Sequence, residues 1–412
     1  MSRLIKAALL CAYLTVIYQY IQALLQPEIR EEILELNYML KDPTLKRLER
    51  EMKKKRAKKV ALQLEIPTRL PTDYKYILRY TNAFSHRSTK AKAGQEEFII
   101  KKCKHINCYL TNDKRLLFNF QYYDAILFDV ENTWDYHPPV RSPHQRYVFI
   151  AWESAQDNPI CSKLFDDYYN LTWTYRLDSD MKWSYFTIFD KNGTIVGPNI
   201  DMKWAKTMND TPDVVKSKLV KKKKVAAWFV SNCDVKSKRN DLYQHLYVAF
   251  EKYNMSIDTF GVCGTKQCPK DRMEECLDLV EREYYFYLSF ENSICEDYVT
   301  EKVLHAFLHY SVPIVYGGAN YSRFLPPGSY INAYDESPER VADLVYEAVK
   351  NRKVYENYFR WHNNYVYKPT DDIGDVCTLC EMMNTPMANR SVKKFRKWWN
   401  PEYITFKADC KY

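Results

Sequence analysis

Outside one short segment, this chain of 412 residues lacks an excess of charge of either sign. Ten Lys or Arg and three Asp or Glu lie between Lys41 and Val60, so this segment alone contributes +7 of the formal +9. The nearly neutral remainder excludes a domain built to neutralise the phosphates of a nucleic acid, and the charged segment is typical of a solvated helix. Just upstream, apolar residues with coiled-coil spacing stop at Pro43 and predict only weak self-association: Ile29, Ile33, Leu36 and Leu40.

The sequence also lacks the combination of motifs that a zinc or redox site requires. Cys377 and Cys380 form the one tight Cys-x-x-Cys pair, and neither a second pair at metal-binding spacing nor a thioredoxin-like context accompanies it. His305 and His309 have the spacing of a helical zinc pair, but no catalytic glutamate lies between them. The sequence therefore predicts a structural disulfide at the cysteines and surface or packing roles for the histidines.

Charge is absent between Ala7 and Pro27, where Leu, Ile, Tyr and Ala predominate. About 20 such residues cross a bilayer as a helix, and Arg3 and Lys6 favour a cytoplasmic N-terminus with the rest of the chain luminal. The expected segments are a cytoplasmic tail (1–6), a transmembrane anchor (7–27) and a charged stem (28–95). The alternative is a cleaved secretory signal with an apolar core at Ala7–Tyr18, although no small-x-small cleavage site follows.

Two features suit a luminal location. Eleven of the twelve cysteines follow the uncharged segment, and disulfides are expected in an oxidising compartment. Short spacings make three pairs candidates for local disulfides: Cys103–Cys108, Cys263–Cys268 and Cys377–Cys380. Six Asn-x-Ser/Thr sequons also occur downstream, at Asn170, Asn192, Asn209, Asn254, Asn320 and Asn389.

After residue 284, the sequence predicts a strand, a polar turn, a helix and a second strand in that order. Tyr285–Phe290 and Val312–Tyr316 are short apolar runs bounded by polar residues, which predicts two strands. Between them, Asp297 is placed to cap a helix with apolar residues at spacings of three and four, namely Val303, Ala306, Phe307 and Tyr310. The pattern predicts an α/β protein with a βαβ unit.

Polar residues at the start of this predicted helix form a candidate phosphate site. Tyr298, Glu301 and Lys302 lie at i, i+3 and i+4, so they are expected on one face of its first turns. In doubly wound sheets, helix N-termini present free N–H groups and a partial positive charge to phosphate. Lys302 can neutralise a diphosphate, Glu301 can accept hydrogen bonds from ribose hydroxyls, and Asn292 in the turn can do either. The alternative is a salt-bridged surface helix without a ligand.

Two more candidate residues lie at the end of a predicted strand and at the start of a predicted helix. Strands are predicted at 125–130 and 146–152, and Glu153 ends the second, where a carboxylate could take a proton from a sugar hydroxyl. The alternative for Glu153 is a solvated strand end. Arg239 begins a helix after a predicted strand at 225–231, on the side where a phosphate would be held.

Several of these motifs resemble, in order and spacing, the donor-site block of the GDP-fucose-dependent α1,3-fucosyltransferases, a family of Golgi type II membrane glycosyltransferases. They are Phe-Tyr-Leu-Ser-Phe-Glu-Asn-Ser (286–293), Asp-Tyr-Val-Thr-Glu-Lys (297–302), Val312-Pro313 and Arg323–Ile331. Weaker similarity extends over residues 100 to 412. The resemblance implies a GT-B fold, with two Rossmann-like domains facing across a cleft. The implied parts are an acceptor-side domain (96–215), a GDP-fucose-binding domain (216–365) and a C-terminal segment with Cys-x-x-Cys (366–412).

The resemblance also implies roles for the candidate residues. Glu153 matches the glutamate of the family's Glu-Ser-Pro stretch, the proposed general base, although Ala155 stands where the family often has proline. Arg239 matches the family's pyrophosphate-binding arginine. The residues expected to orient or neutralise the donor are Asn292, Tyr298, Glu301 and Lys302.

The implied reaction is inverting transfer of L-fucose from GDP-fucose to the 3-hydroxyl of GlcNAc in a glycoprotein N-glycan, core or antennary, in the Golgi lumen. No cofactor is required in this interpretation, and Mn²⁺ is at most stimulatory. Asp178-Ser-Asp180 imitates the Asp-x-Asp metal site of the GT-A architecture, but residues 175–180 resemble a Tyr-Arg-x-Asp-Ser-Asp stretch of the fucosyltransferases. The alternatives are a metal-dependent GT-A-type enzyme that uses Asp178 and Asp180, and an inactive glycan-binding relative.

Overall fold

The computed structural model describes residues 73–81, 92–117, 119–130, 138, 141–370, 376–386 and 391–401. Apart from residues 162–164, these belong to one unit of the chain. The predicted cytoplasmic tail, the anchor and most of the stem lie outside the described residues. Within the described ranges, no helix is long and apolar enough to cross a membrane.

The first half of the described chain contains a six-stranded parallel sheet. In chain order, its strands are β1 (Lys75–Arg79), β2 (Cys108–Thr111), β3 (Ala125–Asp129), β4 (Arg146–Ala151), β5 (Leu171–Thr174) and β6 (Met181–Lys182). They lie in the order β2-β1-β3-β4-β5-β6, and each neighbouring pair is parallel. β3 and β4 confirm the strands predicted at 125–130 and 146–152, because strands buried on both faces have continuous apolar runs.

The strand β1 lies inside the segment predicted as stem (28–95). It pairs with β2 on one side and β3 on the other, and its Ile77 and Leu78 are fully buried. The stem prediction is therefore wrong at its C-terminal end, since these residues belong to the interior of the sheet. β1 has only five residues, and its first and last are charged. Its apolar run is therefore too short to predict a strand next to a charged segment.

The second half contains a five-stranded parallel sheet and a three-stranded antiparallel one. The strands are β7 (Phe186–Asp190), β8 (Ile195–Gly197), β9 (Lys224–Phe229), β10 (Ile257–Phe260), β11 (Tyr284–Phe290), β12 (Val312–Tyr316), β13 (Ile331–Asn332) and β14 (Tyr365–Pro369). The parallel sheet has the order β10-β9-β11-β12-β13, and the antiparallel sheet has the order β14-β7-β8.

Helices cover these sheets and connect their strands. In the described part of the chain they are α1 (Glu96–Ile100), α2 (Asp213–Leu219), α3 (Arg239–Glu251), α4 (Met273–Glu283), α5 (Glu301–Leu308), α6 (Pro338–Lys350), α7 (Arg352–Asn357), α8 (Val376–Asn384) and α9 (Phe395–Trp399). The sequence β11-α5-β12 confirms the predicted βαβ unit. The last two helices return to the first sheet, where Leu379 packs near Ile77 and Trp399 packs against Phe149.

Two of the disulfides join cysteines that are far apart in the sequence, although the short spacings predict local pairs. Among the described residues the bridges are Cys103–Cys377, Cys108–Cys380, Cys233–Cys263 and Cys268–Cys276. All three predicted local pairs are therefore wrong. Both cysteines of the Cys-x-x-Cys motif lie on α8, which packs against the first sheet, so each reaches a different partner there. Spacing identifies cysteines that are close in sequence but not those that packing brings together.

Candidate active site

The carboxyl ends of the two parallel sheets lie next to each other, and a hydrogen bond joins the loops that follow them. Glu153 follows β4 of the first sheet, and Tyr298 follows β11 of the second. The Tyr298 hydroxyl donates a hydrogen bond to Glu153 Oε2 at 2.9 Å, across a sequence separation of 145. Two of the predicted site residues therefore meet at strand ends, which is where open α/β sheets bind ligands.

Glu153 is half-buried. Burial raises the pKa of its carboxyl, while the hydrogen bond from Tyr298 and the positive charge of Lys302 act in the opposite direction. The neighbouring carboxyls of Glu301 and Asp157 add to the rise. A carboxylate with a raised pKa accepts a proton more readily, and a base works best when its pKa approaches the working pH.

Tyr298 lies before the helix on which it was expected. Helix α5 begins at Glu301, with Thr300 as its N-cap, so the predicted common helical face is wrong, and only Glu301 and Lys302 lie in the first turn. The Tyr298 side chain is 2% exposed, and its ring packs edge-on against Tyr175 with the centroids 4.9 Å apart. This packing fixes the hydroxyl that holds Glu153.

Asp297, the predicted helix cap, joins the two halves of the molecule instead. Its carboxylate accepts hydrogen bonds from the Leu177 backbone N–H at 3.1 Å and from the Arg323 guanidinium at 3.0 Å. Its backbone is left-handed, with φ of 58°, a conformation that Asp adopts more readily than most residues. The cap prediction is wrong because Asp297 belongs to a turn that precedes the helix.

Lys302 is held by a buried carboxylate. Its Nζ lies 2.9 Å from Glu291 Oε2, 2.8 Å from Thr300 Oγ1 and 3.4 Å from Glu301 Oε1. Burial disfavours the ammonium charge, but the carboxylates of Glu291 and Glu301 outweigh burial and raise the pKa of Lys302. A fixed positive charge therefore sits in the first turn of α5, where the helix N-terminus adds a partial positive charge.

Arg239 is the first residue of α3, as predicted, but its side chain is buried, with 3% exposure. Its Nη1 donates to the Phe290 carbonyl and its Nη2 to the Asn232 carbonyl, each at 2.9 Å. Its Nε is buried without a partner in the described part of the chain. Burial lowers the pKa of Arg239. Arg239 thus joins the loop after β9 to the end of β11, and its contact with a diphosphate stays a prediction.

Asn292 and its neighbour Ser293 make a second connection between the sheets. Asn292 Nδ2 donates to Asp157 Oδ2 at 2.9 Å, and the Ser293 hydroxyl donates to the same oxygen at 2.8 Å. Asn292 Oδ1 is buried, and no partner for it exists among the described residues. Asp157 lies on the loop that follows Glu153, so the loop that begins at the predicted base is hydrogen-bonded to the predicted donor residue Asn292.

The sequence patterns miss Glu291 and Asp157. Glu291 directly follows β11, so the argument that selects Glu153, a carboxylate at the end of a buried strand, applies equally to it. No sequence pattern identifies Asp157, because its partners Asn292 and Ser293 lie in the loop after β11, far from it in the sequence.

Asp178 and Asp180, the carboxylates of the metal-dependent alternative, are bonded within the protein. Both guanidinium contacts of Arg176 with Asp178 measure 2.9 Å, and Asp180 Oδ2 accepts a hydrogen bond from the Thr172 backbone N–H at 2.9 Å. Each carboxylate thus has a different partner. Over the described ranges, no group of three or more His, Cys, Asp or Glu side chains is arranged to hold a metal ion.

A cavity of about 390 Å³ lies beside these loops. Residues from the ends of both sheets and from α9 line it, among them Ala155, Tyr175, Glu296, Arg323 and Trp399. Its volume is within the range of small-molecule sites, but neither Glu153 nor Lys302 lines it. We place the candidate chemistry at the strand ends, because the shielded carboxylate and the fixed ammonium lie there.

An α/β fold whose two parallel sheets meet at a shielded carboxylate and a fixed cation is the arrangement expected of an enzyme that uses a phosphorylated donor. Two family models match the chain: "Fucosyltransferase, N-terminal" over residues 72–186 and "Glycosyltransferase family 10 (fucosyltransferase) C-term" over residues 219–398. The chain therefore belongs to glycosyltransferase family 10, the fucosyltransferases, which confirms the resemblance seen in the sequence. The first match begins just before β1, in agreement with the place of that strand in the sheet.

Individual relatives agree with this assignment. Alpha-(1,3)-fucosyltransferase C of Drosophila melanogaster is 36% identical over 310 residues, which cover 72% of this chain and 70% of that protein. The Homo sapiens 4-galactosyl-N-acetylglucosaminide 3-alpha-L-fucosyltransferase 9 is 30% identical over 301 residues, 71% of this chain and 75% of that protein. A crystal structure of an alpha1,3-fucosyltransferase with GDP-fucose is similar at a TM-score of 0.47 and 14% identity, over 79% of this chain and 95% of that one. This last likeness is too distant to assign anything to the chain.

Proposed function

We propose that this fucosyltransferase transfers L-fucose from GDP-fucose to the 3-hydroxyl of GlcNAc in glycoprotein N-glycans, core or antennary. The names of both relatives support the 3-linkage, and the human one names a galactosyl-N-acetylglucosaminide. The two parallel sheets support a GT-B arrangement, in which the second sheet holds the donor and the first presents the acceptor to it.

The hydrogen bond between Tyr298 and Glu153 is the observation on which this proposal rests. It brings a shielded carboxylate of the first sheet to the edge of the second, a few residues from the fixed ammonium of Lys302. In the reaction, the Glu153 carboxylate takes the proton of the acceptor 3-hydroxyl as that oxygen attacks fucose C1. The bond from C1 to the diphosphate oxygen breaks, GDP leaves with the electron pair, and a single displacement inverts C1.

The remaining predicted residues serve the donor. Lys302, Arg239 and the N-terminus of α5 stabilise the charge that develops on the departing diphosphate, where fixed positive groups act without reorganisation. Asn292 and Glu301 bind polar groups of GDP-fucose. Because the chain supplies these positive charges itself, we propose no required cofactor, with Mn²⁺ at most stimulatory.

We also propose a Golgi location, with a single N-terminal anchor and a luminal catalytic part. The disulfides among the described residues support an oxidising compartment. The uncharged run from Ala7 to Pro27 supports the anchor.

Mass spectrometry of defined N-glycans after incubation with GDP-fucose tests the reaction. One acceptor should carry only the innermost GlcNAc pair and the other should add galactosylated antennae, so that the product shows which GlcNAc is used. We expect one added fucose, linked to O3, on at least one acceptor, and none with Glu153→Gln over the same interval. An unmodified mass with both acceptors would contradict the proposal.

A further inference from the structure

The loop that follows Glu153 is hydrogen-bonded to the loop that follows β11. The Ser154 hydroxyl donates to the Ser293 hydroxyl at 2.7 Å, and both side chains are fully buried. The Ile294 backbone N–H donates to Gln156 Oε1 at 2.8 Å. These contacts fix the two loops to each other where the sheets meet.

Asp157 is the centre of this network. Its Oδ2 accepts hydrogen bonds from Asn292 Nδ2 at 2.9 Å and from the Ser293 hydroxyl at 2.8 Å, and the Ser154 hydroxyl, which donates to Ser293, lies 3.2 Å from the same oxygen. Hydrogen bonds to a charged acceptor are stronger than those between neutral groups. Two such bonds on one oxygen, one from Asn292 and one from its neighbour Ser293, hold the Asn292 side chain in place.

The charge of Asp157 also determines how the Asn292 amide is turned. A carboxylate can only accept, so the amide must present its NH₂ group to Asp157 and turn its oxygen away. That oxygen, Oδ1, is buried and has no partner among the described residues. A buried acceptor left unsatisfied is unfavourable and needs an explanation, and a donor group on a bound ligand supplies one.

We propose that Asp157 is a positioning residue that holds the Asn292 amide so that Oδ1 accepts a hydrogen bond from a hydroxyl or N–H group of the nucleotide sugar. The proposal deepens the proposed function and rests on it, since it takes Asn292 as part of the donor site. Asp157 itself makes no contact with the donor. Its effect on transfer is therefore exerted through Asn292.

A double-mutant cycle on the full chain tests this. Asp157→Ala and Asn292→Ala should each lower kcat/KM for GDP-fucose by about tenfold or more, mainly through KM. Asp157→Ala/Asn292→Ala should be no slower than Asn292→Ala, because the amide that Asp157 orients is already gone. Asp157→Asn keeps an oxygen that can accept the same bonds but no longer prevents the Asn292 amide from turning over, so it should lower transfer less than Asp157→Ala does. Asp213→Ala removes a side chain that is 96% exposed and should change nothing.

The outcomes separate this inference from the proposed function. If Asn292→Ala transfers fucose at the normal rate, Asn292 is not part of the donor site, and both the site assignment and this inference fail. If Asn292→Ala is impaired but Asp157→Ala is harmless, or multiplies the loss in the double variant, the positioning role is overturned and the proposed function stands. Urea unfolding of every variant shows whether a loss of transfer reflects a loss of folded protein.

Discussion

Replacement of Lys302 should affect both stability and transfer, and the two effects can be separated. Lys302 Nζ and Glu291 Oε2 are 2.9 Å apart, and the two side chains are 19% and 0% exposed. Removing one member of a buried ion pair leaves the other charge without a partner, at a typical cost of about 3–5 kcal/mol. Lys302→Met should therefore lower the free energy of unfolding as well as the rate of transfer.

The proton equilibrium of Glu291 limits this loss. Without Lys302, Glu291 can remain buried by binding a proton, which costs about 1.4 kcal/mol for each pH unit above its ordinary pKa of 4.5. At pH 7 the electrostatic part of the loss is then at most about 3.4 kcal/mol. The unfolded variant is ionised at pH 7 and the folded variant is protonated, so the folded state binds more protons. Lys302→Met should therefore regain stability relative to the unmodified chain as the pH falls towards 5.

A double variant separates the two roles. Lys302→Met/Glu291→Gln removes both charges of this pair, and the amide oxygen introduced at position 291 would still accept from Thr300, whose N–H donates to Glu291 Oε1 at 2.8 Å in the native chain. We expect its stability to recover to within about 1.5 kcal/mol of the unmodified chain, as after other replacements of a whole buried pair. Its transfer should stay as low as that of Lys302→Met, because the diphosphate still lacks its cation.

Urea unfolding at pH 5 and pH 7, calorimetry of GDP binding and initial rates of fucose transfer measure these quantities on the same preparations. Near-normal transfer by the double variant would remove Lys302 from the diphosphate site. Equal stability of Lys302→Met and the unmodified chain at pH 7 would show that Glu291 does not depend on Lys302 for its burial.

Substitution of Glu153, removal of divalent metal ions with EDTA and substitution of Asn170 give three further tests. Glu153→Gln should leave GDP binding intact in calorimetry and lower kcat by about 10² or more. Burial raises the pKa of Glu153, and only its carboxylate form accepts a proton. In the unmodified enzyme kcat should therefore fall as the pH drops through that pKa, and in Glu153→Gln this fall should be absent. Transfer should persist in excess EDTA, and a complete loss that Mn²⁺ reverses would instead favour the metal-dependent alternative. Asn170→Ala should lower the free energy of unfolding by about 1–3 kcal/mol, because Asn170 Oδ1 accepts from the buried Tyr147 N–H at 2.8 Å, whereas the exposed Asn192→Ala should not.

The sequence alone determined the local elements and the residues at their ends. Runs of consecutive apolar residues and their periodicity identify β4, β11, α5 and β12, because these patterns depend only on near neighbours in the chain. Glu153, Asn292 and Lys302 follow from the rule that ligands lie at the ends of strands and the starts of helices. The same rule could have found Glu291. The motifs at residues 286–302 also determined the family, which the comparisons confirm.

Only the tertiary structure decided which of these residues meet. Cys377 pairs with Cys103 across 274 positions instead of with Cys380, and Tyr298 reaches Glu153 across 145. Asp157 acquires its place in the network from partners more than a hundred positions away, at separations of 135 and 136. Local patterns contain no information about such pairs, because the path of the chain through two sheets and back to the first determines them. The start of α5 was misplaced for a related reason: the bonds of Asp297 to Leu177 and Arg323 hold the preceding turn out of the helix.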